Sequence, residues 1–378
     1  MVGQGCIACA GMLEALPVPH PARSVTSDGR TLPLALRKGV CPSCGMVSHT
    51  PRPDTATVRA FYGDDYDLAR EEAPGDRARA ETYARAILAL AGDTLPPGRI
   101  VELGCGAGFT LAALAARWPD RAAVGLEPAP AVARAARMRW PHLSIHEGFG
   151  EDAGTTVADA ALVYSVNVLE HTADPVAFLA SKAAMLREGG RAIVVCPACE
   201  PPNMELVFLD HIQTLTGDAM KRLAPRAGLG LLHRQASIEG AGDFQAFVLA
   251  SGAGAVPDDG ASGGSAPAPY LRAWSMLDAA LCERTSEASS VALFGAGEMA
   301  ALLRAYAPGL WRRTDLLIAD DTAGARRLDR PLRRTADVGP DPGRTIVVAT
   351  HPRSQPAVAR RLRGEGHRCV TFDDLIAR

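Results

Sequence analysis

Lysine is nearly missing from this chain: Lys38, Lys182 and Lys221 are its only lysines among 40 basic residues in a sequence of 378. Together with abundant alanine this points to a coding bias, and no function follows from it. An excess of either charge is missing too. The formal charge is −2, so no strong field invites nucleic acid. No apolar run approaches the length of a bilayer span and no N-terminal apolar segment resembles a signal peptide, so no membrane partner is expected and a cytoplasmic location is. In that compartment the nine cysteines read as ligands or buried thiols, not as disulfides. What the chain does have is length, enough for two or three domains with ample core.

Residues 100–108, Ile-Val-Glu-Leu-Gly-Cys-Gly-Ala-Gly, organise the reading of the whole. Ile100 to Leu103 is a strand-type run, Gly104, Gly106 and Gly108 follow at alternate positions, and Phe109 to Trp118 reads as a helix. A glycine turn between strand and helix lets a ligand press on main-chain atoms that a Cβ would block. The next strand, Ala122 to Leu126, ends on Glu127, where a doubly wound sheet holds ribose hydroxyls. Dinucleotide turns read G-x-G-x-x-G, with a pyrophosphate at the helix start. Here the pattern is E-x-G-x-G-x-G, and Glu102 inside the strand would repel a pyrophosphate but suits a cationic sulfonium and ammonium. The stretch resembles class I S-adenosylmethionine-dependent methyltransferases. The resemblance implies that Glu102, Gly104, Cys105, Gly106, Gly108 and Glu127 surround S-adenosylmethionine.

Cys6-x-x-Cys9 and Cys41-x-x-Cys44 form two knuckles of the spacing that aims paired thiolates at one ion, so Cys6, Cys9, Cys41 and Cys44 are the expected ligands of a closed, structural Zn²⁺. Cys196-Pro-Ala-Cys199 repeats the spacing without a second pair and is read as incidental. Asp54 is placed to cap a helix running to about Tyr62. Tyr62 and Tyr66 then either cover a ligand or pack the module onto the next domain. Arg77 to Ala91 is a helix. Beyond Glu127 come a helix over Ala131 to Trp140, a strand over Leu143 to His146, and the loop 148–152, where the resembled family often contacts adenine. Asp159 to Val166 is the fourth strand and leads into Asn167-Val168-Leu169-Glu170-His171, which looks like the family segment beneath the methionine end of the cofactor. His171 is read equally as catalytic or as orienting backbone. Asp174 and Pro175 start a helix, Gly189-Gly190 stop it, and Arg191 to Cys196 is the fifth strand. Pro201 to Leu215 is an irregular insertion. A helix over Thr216 to Ala227 and strands over Leu229 to Ile238 and Phe244 to Ala250 close the sheet with an antiparallel edge.

The segment 251–269 is rich in Gly, Ala, Ser and Pro and reads as a linker. Beyond it, Gly295-x-Gly297-x-x-Ala300 opens a second α/β unit, with Asp320 at a ribose-type position. This domain holds the nucleotide part of a substrate, binds NAD, or only completes the fold. The expected fold class is therefore α/β: a four-cysteine module (1–53), a doubly wound methyltransferase sheet (54–250), a linker (251–269) and a Rossmann-like domain (270–378). That order resembles the three-domain nucleotide-sugar C-methyltransferases of deoxysugar biosynthesis. In that family a Tyr-x-Glu-His segment supplies the proton-abstracting histidine; here Phe208, Leu209, Asp210 and His211 stand in its place, so the histidine is kept while tyrosine and glutamate are replaced. The resemblance implies His211 as general base, with Asp210 orienting it, and a nucleotide-linked keto-sugar as small-molecule substrate. An O- or N-methyltransferase of another metabolite, and an NAD-dependent or nucleotide-binding protein, are the alternatives. Oligomeric state is not legible.

Overall fold

The computed structural model describes residues 4–65, 75–155, 157–252, 267–322 and 328–376. Their contacts gather into two compact units. One comprises Met1–Glu14, Gly39–Pro201 and Ile212–Ser265; the other comprises Ala15–Lys38, Pro202–His211 and Ala266–Arg378. The stretch 1–53 is thus divided between the units, and the stretch 54–250 gives up Pro202–His211. Most of the expected linker lies outside the described residues, and the helix after it begins at Pro267, earlier than Tyr270.

The first unit is built on a seven-stranded sheet in the order Leu229–Gln235, Phe244–Ser251, Leu186–Pro197, Ala160–Val166, Arg99–Leu103, Ala123–Glu127, Ser144–Glu147. Arg99–Leu103 pairs in parallel with both neighbours, and the strand order reverses beside it, which places a ligand crevice at the carboxyl ends of these strands. Near-continuous apolar runs make such strands because both faces are covered. Ile100, Leu162 and Ile193 enter one core, and Val101, Val163 and Val194 enter the other.

The closing pair forms the expected antiparallel edge: Leu229–Gln235 is outermost, and Phe244–Ser251 runs antiparallel both to it and to Leu186–Pro197. The helix over Pro175–Met185 starts as expected, with Asp174 accepting from the Val176 and Ala177 amides at 2.9 and 3.0 Å. It ends before Gly189-Gly190, since the fifth strand already begins at Leu186 with a register shift before Arg191.

Gln213–Thr214, unforeseen as a strand, pairs antiparallel with Val47–Ser48 and completes a small sheet with Glu14–Ala15 and Lys38–Val40. Two polar residues show no alternation, and only the waiting edge makes them a strand. Cys6, Cys41, Cys44 and Met46 share one core with Leu215, Ala219, Met220 and Leu223, so the cysteine knuckles have no core apart from the sheet unit. Thr216 caps the helix Gly217–Arg226 through the Ala219 amide and donates to the Cys44 carbonyl at 2.5 Å.

The second unit carries a parallel five-stranded sheet in the order Leu332–Arg334, Thr314–Ala319, Ser290–Phe294, Arg344–Val348, Arg368–Val370. The edge strand Leu332–Arg334 escaped the sequence reading because a Leu-Arg-Arg run carries no strand pattern. A hairpin of Ser24–Val25 and Thr31–Leu32 holds the insertion: Val25 bridges Phe208, the Leu209 amide donates to the Val25 carbonyl at 2.8 Å, and the Tyr306 hydroxyl donates to the Val207 carbonyl at 2.5 Å.

Candidate functional site

The glycine turn stands at the end of the central strand. Gly104, Gly106 and Gly108 all have positive φ, at 71, 52 and 78°. They are there for different reasons. A Cβ on Gly104 would sit 2.4 Å from Val168 Cγ2, whereas a Cβ on Gly106 would meet nothing within 4 Å. Gly104 is glycine for packing, and Gly106 presents bare backbone to open space. Cys105 between them is buried, and burial together with Glu127 and Glu102 pushes its thiol well up.

Glu127 ties the second strand to this turn. One carboxylate oxygen accepts from the Gly106 amide and the other from the Ala129 amide, each at 2.9 Å. Each oxygen keeps a further lone pair, the capacity that two vicinal hydroxyls need. Burial pushes this carboxyl up to about 7 against the pull of the Ala129 and Gly106 amides. Glu102 is 2 % exposed and its carboxylate accepts from the Tyr164 hydroxyl at 3.0 Å. Burial raises it to about 8, resisted by that hydrogen bond and by buried Lys182. Asn167 is exposed just past the fourth strand, in the left-handed region at φ 55°, with its amide donating to the Val195 carbonyl at 3.0 Å. Strained backbone of this kind gathers at ligand sites.

Other parts of the first unit border these loops. His171 closes the short turn Leu169–His171, and the Tyr62 ring stands edge-on to it at 5.7 Å. Tyr66 lies outside the described residues. Arg59 pairs with Asp152 at 2.8 Å and lies over the Phe149 ring at 4.6 Å, which joins the helix Thr55–Ala60 to the loop expected to contact adenine.

The structure draws the four cysteines together. Cys6 and Cys44 sulfurs are 3.6 Å apart, Cys9 and Cys41 3.4 Å, Cys9 and Cys44 3.7 Å, and all four ligand atoms lie within 4.8 Å of one another. A tetrahedral Zn²⁺ with Zn–S bonds of about 2.3 Å needs sulfurs separated by about 3.8 Å. The donor set fits that ion.

His211 and Asp210 belong to the second unit. Both are buried. Asp210 accepts from the Ser27 amide at 2.7 Å and from the Ser27 hydroxyl at 2.5 Å, which ties the insertion to the hairpin. Against His211 Nδ1 stands a carboxylate oxygen of Glu205, in close contact. Glu205 was not foreseen, because no periodicity brings a residue six positions upstream onto a histidine; the turn Met204–Val207 does so. Lys38 was also missed. Its ammonium donates to the His211 carbonyl at 3.0 Å, and burial holds it down to about 7 against the pull of Glu205 and Asp210. An isolated lysine on an otherwise apolar strand, in a chain with so few, was the available signal.

In the C-terminal turn a Cβ on Gly297 would meet nothing within 4 Å. A Cβ on Gly295 would lie 2.3 Å from the Ala349 carbonyl oxygen, so that glycine serves strand packing. Asp320 accepts two hydrogen bonds from Arg361, at 3.0 and 2.8 Å, and one from Thr335 at 2.8 Å. Burial raises this carboxyl, but those bonds outweigh it and hold it below its usual range.

Residues 76–234 match the family model described as a methyltransferase domain. Among curated proteins, a trans-aconitate 2-methyltransferase of Methylobacterium radiotolerans is 34% identical over 123 residues, 32% of this chain and 44% of the relative. The same enzyme of Methylobacterium nodulans is 37% identical over 71 residues, 19% of this chain and 25% of the relative. The chain thus spans less than half the length of these two relatives. Among solved structures, the mitomycin 7-O-methyltransferase MmcR is 22% identical, with a TM-score of 0.39 over 46% of this chain and 53% of that one.

Proposed function

We propose that the protein transfers a methyl group from S-adenosylmethionine to a small-molecule acceptor. The observation that carries this reading is Glu127 bonded to the Gly106 amide at the open face of the glycine turn, inside the segment that matches a methyltransferase domain. When bound, S-adenosylmethionine supplies a methyl carbon made electrophilic by its sulfonium. Glu127 accepts the ribose hydroxyls, the bare backbone at Gly106 admits close approach, and Glu102, raised to about 8 by burial, lies in the strand that feeds the turn. The cysteine cluster holds a structural Zn²⁺, with no open position for chemistry.

For the acceptor we propose carbon beside a carbonyl in a nucleotide-linked keto-sugar, with His211 as general base. A histidine takes such a proton near neutral pH, and general-base help is worth about 10² to 10⁴ in rate. The second reading is oxygen transfer to a carboxylate or hydroxyl acceptor, favoured by the trans-aconitate methyltransferases that share part of the domain. Labelled S-adenosylmethionine incubated with nucleotide keto-sugars and with tricarboxylates separates the two. Label on sugar carbon, lost in His211→Ala at unchanged cofactor affinity, supports the first; label released by mild alkali as an ester carries the second; His211→Ala turning over at the wild-type rate removes His211 as base.

A further inference from the structure

The proposed base sits in a small network of charged groups that the sequence reading left unexplained. Glu205 and His211 both leave the chain within the insertion Pro202–His211, yet only the turn Met204–Val207 brings the carboxylate back onto the imidazole. The contact is at Nδ1, on the side nearer the backbone. Their side chains are 14 % and 8 % exposed, so water competes little for either. Lys38 approaches from the strand Lys38–Val40 and holds the His211 main chain by its carbonyl oxygen at 3.0 Å. The Phe208 ring lies 5.1 Å from the imidazole. A carboxylate thus faces the ring of His211 while a lysine holds its backbone.

We infer that Glu205 and Lys38 are positioning residues for His211: Glu205 accepts the Nδ1 proton and so leaves Nε2 as the basic nitrogen, while Lys38 fixes the backbone that aims the ring. This rests on the reading of His211 as the base, but its test does not. A neutral imidazole in water prefers to carry its proton on Nε2, so the carboxylate enforces the less common tautomer, and which nitrogen is protonated follows from the hydrogen bond the other one makes. When Nε2 takes a proton from an acceptor, the ring becomes an imidazolium whose charge the ionised Glu205 offsets; Glu205 itself gains no proton. Asp210, whose oxygens accept from Ser27, secures the segment to the hairpin.

The tautomer is read directly from ¹⁵N shifts of the full-length protein labelled at histidine, with His211→Gln identifying the signal. The expected spectrum at neutral pH shows His211 protonated at Nδ1 and bare at Nε2, Glu205→Gln converts it to the Nε2-protonated form or a mixture, and Glu205→Asp restores the native pattern in part. Lys38→Met keeps the tautomer and broadens the signal as the backbone loosens. A wild-type His211 protonated at Nε2 overturns the assignment; an unchanged tautomer in Glu205→Gln also overturns it. Loss of methyl transfer in His211→Ala is scored separately, so the base can fail while the tautomer stands.

Discussion

A carboxyl accepts hydroxyls most strongly when ionised, and burial raises Glu127 to about 7. Removing it should weaken S-adenosylmethionine binding by about 1.5–3 kcal/mol, the usual worth of a charged hydrogen bond; titration calorimetry on Glu127→Ala checks this, and unchanged affinity would place the ribose elsewhere. The same group makes a prediction without ligand. A carboxyl raised from 4.5 to about 7 on folding contributes stability that is whole below pH 4.5 and lost as pH rises through 7, because the buried charge must then form. The difference is worth about 3 kcal/mol. Thermal melts from pH 5 to pH 8 should show wild type losing stability relative to Glu127→Gln, and parallel curves would refute this. The sequence was legible here to a limited depth. It located Glu127 and the glycines by spacing, but it could not say that Gly106 faces space while Gly104 faces Val168, because that depends on a side chain more than sixty positions away.

At the scale of elements, the two glycines of one turn should fail differently. Both have positive φ, so an alanine at either carries strain of about 1–2 kcal/mol. Gly104→Ala adds the clash with Val168 and should lower the melting temperature further; Gly106→Val should cost cofactor affinity more than Gly106→Ala does. Melting curves beside binding isotherms check the contrast, and equal behaviour at both positions would defeat it. The knuckles invite a parallel test. Freshly prepared protein should carry about one zinc per chain, and Cys41→Ser should lose both metal and thermal stability before any change in cofactor affinity, since closed sites contribute folding energy. Metal analysis finding none would remove the site. Helix starts were easy to read, because Asp54, Asp174 and Thr216 cap through their own side chains. Strands made by a partner's edge, Gln213–Thr214 and Leu332–Arg334, were not.

For the whole molecule, calorimetry with S-adenosylmethionine and with NAD in turn should register binding of the first alone, since Asp320 is already engaged by the Arg361 guanidinium and by Thr335. NAD binding at micromolar affinity would reopen the dinucleotide reading. The division of the chain into units was the least legible feature, because hydrophobic pattern reports which face is buried and not which distant segment buries it. The small sheet of the cysteine knuckles shows what that means for synthesis. Its last strand, Gln213–Thr214, and the cap that holds Cys44, Thr216, arrive 172 residues after that cysteine in the case of Thr216. Chains emerge at about 5–20 residues per second, so the amino-terminal end waits on the order of ten seconds or more on the ribosome with an open edge and with its thiols not yet packed. A nascent chain arrested before residue 213 should therefore be far more open to thiol-reactive probes than one arrested well beyond residue 227.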